Sequence, residues 1–113
     1  MVFALAVEIG AALLVTWLTW RAANGSLARN NSAGVRTRIT MASETAWRVG
    51  HRAALLPTAI AGAVTVAWCS LSIALVPLRT PISAIVASVV LVSGALLSIP
   101  VAHRAVRRAS LEE

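Results

Sequence analysis

Three long apolar blocks leave this chain few ways to fold. The first runs from Val2 to Trp20 and is broken only by Glu8, Thr16 and Thr19. The second runs from Ala53 to Val76 and ends at Pro77, and the third from Ile82 to Ala102, with Pro81 just ahead of it and Pro100 in its last turn. A helix of the first block's length, at about 1.5 Å per residue, covers roughly 28 Å, close to the hydrocarbon thickness of a bilayer. With 58% of its 113 residues hydrophobic and 12% charged, the chain lacks the polar shell a soluble domain of this size needs. Inside lipid the backbone must satisfy its own hydrogen bonds, so each block is expected to be a transmembrane α-helix.

The expected fold is therefore all-α: a single integral membrane domain over 1–113, built as a three-helix bundle. Transmembrane helices are expected at 2–20, 53–76 and 82–102, with a loop at 21–52, a turn at 77–81 and a tail at 103–113. Proline suits a helix start, where its missing N–H costs nothing, so Pro77 to Pro81 reads as a tight turn between antiparallel helices. Pro57 falls in the first turn of the second span or marks a kink just inside the membrane.

Arginine sets the orientation. The loop from Arg21 to Arg52 holds six, the tail holds Arg104, Arg107 and Arg108, and the opposite side holds only Arg79. By the positive-inside rule the loop and C-terminus are expected in the cytoplasm and the N-terminus outside. No basic residue precedes the first block, which is expected to be a retained span rather than a signal peptide. Trp17 and Trp20 lie at its cytoplasmic end, where interfacial anchors belong. An all-Arg basic set in an Ala- and Val-rich chain points to a GC-rich bacterium, and the expected location is the bacterial cell membrane as a multi-pass protein.

The net charge of +6 is accounted for by these flanking arginines, and no nucleic-acid-binding motif accompanies it. Cys69 is alone, so no intrachain disulfide can form. His51, His103 and Cys69 have no metal-ligand spacing, and neither a phosphate loop nor a hydrolase signature occurs. Neither enzyme activity nor a cofactor is expected. Small residues that allow helices to approach suggest packing faces: Ala4, Glu8, Ala11, Ala12 and Val15 on the first span; Ala59, Ala63 and Ala67 with Gly62 and Ser70 on the second; and Ala84, Ala87, Ser88, Ala95 and Ser98 on the third. Such stripes also make homo-oligomers plausible.

Glu8 is the one acid inside a span. Ionisable groups in lipid are expensive and usually face the bundle, which makes Glu8 a candidate proton-coupled site or ligand contact. The alternative is structural: near the outer surface it can snorkel or pair with Arg79.

The loop carries the most specific pattern. Ser43 is placed to cap a short helix, Glu44 suits its first turn, and Glu44 and Arg48 stand in the favourable four-residue order. Glu44, Trp47 and His51 share a face, which reads as a short interfacial helix ahead of the second span, with Trp47 at the lipid headgroups. An alternative is an Arg36–Glu44 ion pair and a Trp47–His51 contact that dock the loop. Across Asn31, Gly34-Val35-Arg36-Thr37, Thr40-Met41, Ser43-Glu44, Trp47 and His51-Arg52, the segment resembles the signature of the SdpI/YfhL family of small bacterial membrane proteins. Arg38-Ile39 and Ala53-Ala54 depart from the residues usual in that pattern.

The resemblance implies the family's three-span module over nearly the whole chain. It also implies a role in immunity to a secreted membrane-active toxin peptide, or in signalling its presence through a cytoplasmic transcriptional repressor held at the membrane. Asn31, Gly34, Arg36, Thr37, Thr40, Ser43, Glu44, Trp47, His51 and Arg52 are the matched positions. Two other classes share part of the architecture. Holin-like pore-formers have three spans, an outside N-terminus and a charged tail. The third class is a small transporter or an accessory subunit of a membrane complex, small multidrug exporters also using a first-span Glu but with four spans and short loops. The expected partners are the lipid bilayer, a toxin peptide, and a repressor or another membrane subunit, with no nucleic acid.

Overall fold

Each apolar block does form a helix, and two of the helices extend well beyond their blocks. The computed structural model describes residues 1–112. Its helices are α1 (Val2–Asn24), α2 (Glu44–Ala74) and α3 (Pro81–Glu112), with short 3-10 turns at Thr40–Ala42 and Val76–Leu78. All three are long and apolar enough to cross a membrane. No strand occurs among the described residues. Gly25, at φ 85°, ends α1 in the left-handed conformation that side chains other than glycine disfavour.

The 31 residues of α2 span about 46 Å, well beyond a hydrocarbon layer of roughly 30 Å. With the apolar blocks in lipid, Glu44–Arg52 of α2 and the last turns of α3 from His103 stand out of it at the end rich in arginine. The expected short interfacial helix is thus not a separate element. No break separates it from the second span, because nothing between Glu44 and Pro57 interrupts helical hydrogen bonding and Pro57 itself is carried inside the helix.

α2 lies between the other two and packs along both, whereas α1 and α3 scarcely touch. Its buried stripe is Ala54, Thr58, Gly62, Thr65, Cys69 and Ser72. α1 contributes Leu5, Ala12, Thr19 and Ala23, and α3 contributes Ser83, Ala87, Gly94, Ser98 and Ala102. The expected faces are corrected in part: Ala4, Ala11 and Val15 on α1, Ala63, Ala67 and Ser70 on α2 and Ser88 and Ala95 on α3 are exposed, while Ala12, Gly62, Ala87 and Ser98 are buried. Lipid tails are as apolar as a neighbouring helix, so in an alanine-rich span small size alone does not mark the packed side. Hydroxyls mark it better here. Thr19, Thr65 and Ser72 are buried and each donates to the carbonyl four residues earlier at 2.8 Å, which leaves their methyl and methylene carbons to pack. Trp68 Nε1–H donates to the Ser83 carbonyl at 2.9 Å and ties α2 to the start of α3.

Candidate functional site

The site is built by the loop after α1, which folds back onto the projecting ends of α2 and α3. Ser43 caps α2 by accepting the Ala46 N–H at 3.0 Å, which fixes where α2 begins. From that start Trp47 and His51 fall one turn apart on one side, both fully buried, with ring centroids 4.1 Å apart. Trp47 is therefore not at the lipid headgroups. Its Nε1–H donates to the Leu27 carbonyl at 2.8 Å, because a buried indole N–H needs a partner and the loop backbone supplies it.

His51 grips the loop's other arm. Its Nε2 accepts the Val35 N–H at 2.8 Å, so Nδ1 must carry the ring proton and donate it to the Trp47 carbonyl at 2.7 Å. Both nitrogens are engaged and the imidazole is neutral. His51 precedes the membrane-spanning part of α2, and burial holds its pKa below the ordinary value, opposed in part by the bond to the Trp47 carbonyl.

Gly34 makes this approach feasible. Its φ is 99°, and a Cβ there would lie 2.7 Å from Trp47 Cη2 and 2.8 Å from His51 Nε2. Both the backbone conformation and the space demand glycine. The next turn is held by Thr40, fully buried, whose Oγ1 donates to the Val35 carbonyl at 2.6 Å and accepts the Thr37 N–H at 3.0 Å. Thr37 Oγ1 in turn lies 2.8 Å from His103 Nε2, which joins the loop to α3.

Glu44 pairs with Arg29 at 3.2 Å, not with Arg36 or Arg48, and Arg29 also donates to the Met41 carbonyl at 2.8 Å. The Arg36–Glu44 pair considered from the sequence is thus corrected: Arg29 reaches Glu44, and Arg36 is exposed with no hydrogen bond or ion pair among the described residues. Asn31 and Arg52 are exposed as well, and it is Asn30 whose Oδ1 accepts the Ser32 and Ala33 N–H groups at 2.9 and 2.8 Å to shape the turn. Leu27, Arg29, Asn30 and His103 were missed from the sequence. Leu27 acts through its backbone and His103 lies 66 residues from its partner, so neither leaves a local signal.

The loop also closes a cleft. Over the face of α2 that carries Thr58 and Ala61, α1 and α3 diverge around a space of about 550 Å³. Its walls include Ala12, Val15 and Thr16 of α1 and Leu91, Val92 and Ala95 of α3, and Gly34–Thr37 contributes the end at the arginine-rich face. Nearer the opposite end the two helices are joined where Ser88 Oγ donates to Glu8 Oε1. Glu8 does not pair with Arg79, whose Nε and Nη2 both donate to the Ile73 carbonyl, at 2.9 and 2.6 Å. Glu8 Oε2 is buried without a hydrogen-bond partner. No group of three His, Cys, Asp or Glu side chains converges among the described residues.

The SdpI/YfhL protein family model matches residues 26–102, a stretch that holds the whole docked loop, α2 and most of α3. No curated protein and no solved structure matches the chain. A match over that much of the chain, carried by a loop whose glycine, threonines, tryptophan and histidine hold one another, makes this multi-pass membrane protein a member of the SdpI/YfhL family.

Proposed function

We propose that the protein gives immunity to, or signals the presence of, a membrane-active toxin peptide. The observation that carries this reading is the position of the loop. Gly34, Val35, Arg36 and Thr37 end a cleft that opens between two membrane helices, so the signature segment meets both the membrane interior and the arginine-rich face. With that face in the cytoplasm, as the arginine distribution supports, a peptide dissolved in the bilayer that parts or draws together α1 and α3 would bear directly on the loop. A soluble partner, such as a transcriptional repressor, could read the loop from the other side. Coupling of this kind needs an element with two arrangements, and a loop held at separate points by Trp47, His51 and His103 can release one hold at a time.

The test is survival of a bacterium challenged with membrane-active peptides. Deletion should sensitise the host, and expression should restore growth. Arg36→Ala should abolish rescue at unchanged protein abundance, because Arg36 holds no structural contact. Full rescue by Arg36→Ala would remove the loop from the mechanism, and lysis on expression alone would favour a holin-like pore-former instead.

A further inference from the structure

We propose that the cleft between α1 and α3 is a lipid site, which takes an acyl chain of an anionic glycerophospholipid and holds its phosphate on Arg36. The inference goes beyond the immunity reading and does not depend on it. At about 550 Å³ the cleft falls within the roughly 300–1,000 Å³ typical of small-ligand sites. A peptide helix is too large: at a diameter of about 10 Å, three turns displace roughly 1,200 Å³. A flexible hydrocarbon chain is not.

The wall chemistry agrees. Val15, Leu91, Val92 and Ala95 are apolar, and the hydroxyls of Thr16 and Ser98 donate to backbone carbonyls of their own helices at 2.8 and 2.7 Å. Those two donors are already engaged, as is Thr19, so of the wall hydroxyls on the spanning helices only that of Thr58 is left without a hydrogen bond among the described residues.

Charge sits at one end only. Arg36 is the one arginine in the cleft lining. Two others on the same loop side are engaged: Arg21 donates to Ser26 and stacks over Trp17 at 4.9 Å, and Arg29 holds Glu44 and Met41, while Arg38 is exposed outside the cleft. Arg36 has no such partner among the described residues, and a planar guanidinium suits a phosphate. Trp17 and Trp20, half exposed near the same end of α1, fit the headgroup level at which that phosphate would lie.

The experiment is native mass spectrometry of the intact protein released from mixed micelles of phosphatidylglycerol and phosphatidylcholine. Wild type should keep one phosphatidylglycerol in preference to phosphatidylcholine. Arg36→Gln should lower that retention about tenfold, the scale of one lost charge-assisted bond. Arg38→Gln, also exposed but outside the cleft, should leave it unchanged. Ala95→Trp, which fills the cleft from an exposed wall position, should reduce retention of both lipids. Equal losses for Arg36→Gln and Arg38→Gln would reduce the effect to diffuse surface charge and overturn the site, as would retention unaffected by Arg36→Gln. Thermal unfolding checks each variant's fold, and if Ala95→Trp does not fold, the two arginine variants still decide.

Discussion

His51 is the residue on which the loop's docking turns, since one tautomer has to serve two backbone groups. Protonating Nε2 would set an N–H against the Val35 N–H and break the hold at Gly34–Val35. The folded-state pKa is lowered, so the docked state takes up a proton less readily than the undocked one. The stabilisation is therefore fully present above the ordinary value of 6.5 and is lost as the pH falls below it towards the lower folded value. Hydrogen exchange at the Val35 amide, corrected for the intrinsic pH effect, should lose protection between pH 7.5 and 5.5, and His51→Gln should remove that dependence. Equal protection at both pH values would show that the ring is not the clasp. The Arg29–Glu44 pair weighs far less: both side chains are about half exposed, and such pairs contribute roughly 0–1 kcal/mol.

Among the elements, α2 carries most of the specification, because it alone packs along both neighbours. It packs tightly on α1 at Gly62, where a Cβ would lie 2.6 Å from Thr16 Oγ1 and 3.5 Å from the Ala12 carbonyl oxygen. One residue further, Ala63 faces outward. Gly62→Leu should therefore force α1 away and cost about 1–3 kcal/mol, the usual scale of overpacking, whereas Ala63→Leu adds a methyl-rich side chain to lipid and should change little. Thermal unfolding in detergent compares the two directly. Similar losses from both substitutions would mean that the packed stripe has been placed on the wrong side of α2.

At the scale of the whole molecule, an elongated body of 54 × 21 × 18 Å collects nine of its ten arginines at one end. The remaining one, Arg79, turns back onto the Ile73 carbonyl at the other end. Membrane insertion reads that asymmetry. A fluorescent protein fused to the C-terminus should be fluorescent in the cytoplasm, and alkaline phosphatase fused at the same point should be inactive. The reverse result would invert the molecule and place the loop outside the cell. The division of labour within the body follows from α2 and α3 being longer than the bilayer is thick. Their middles hold the bundle, and their projecting ends give the loop something to dock on.

The sequence by itself determined the three spans, the arginine asymmetry and the family, because each is written locally. Apolar length, flanking charge and a loop motif need no knowledge of neighbours. It also singled out Gly34, Thr40, Trp47 and His51 as members of one pattern without saying what each touches. Only the tertiary structure decided which faces of the helices meet, because lipid and protein are equally apolar and an alanine serves either. It alone joined Thr37 to His103 and Leu27 to Trp47, pairings between distant segments that carry no periodic signal. It moved Glu44 from Arg36 to Arg29, and so left Arg36 free beside the cleft, because which of several nearby arginines reaches an acid depends on how the backbone turns between them.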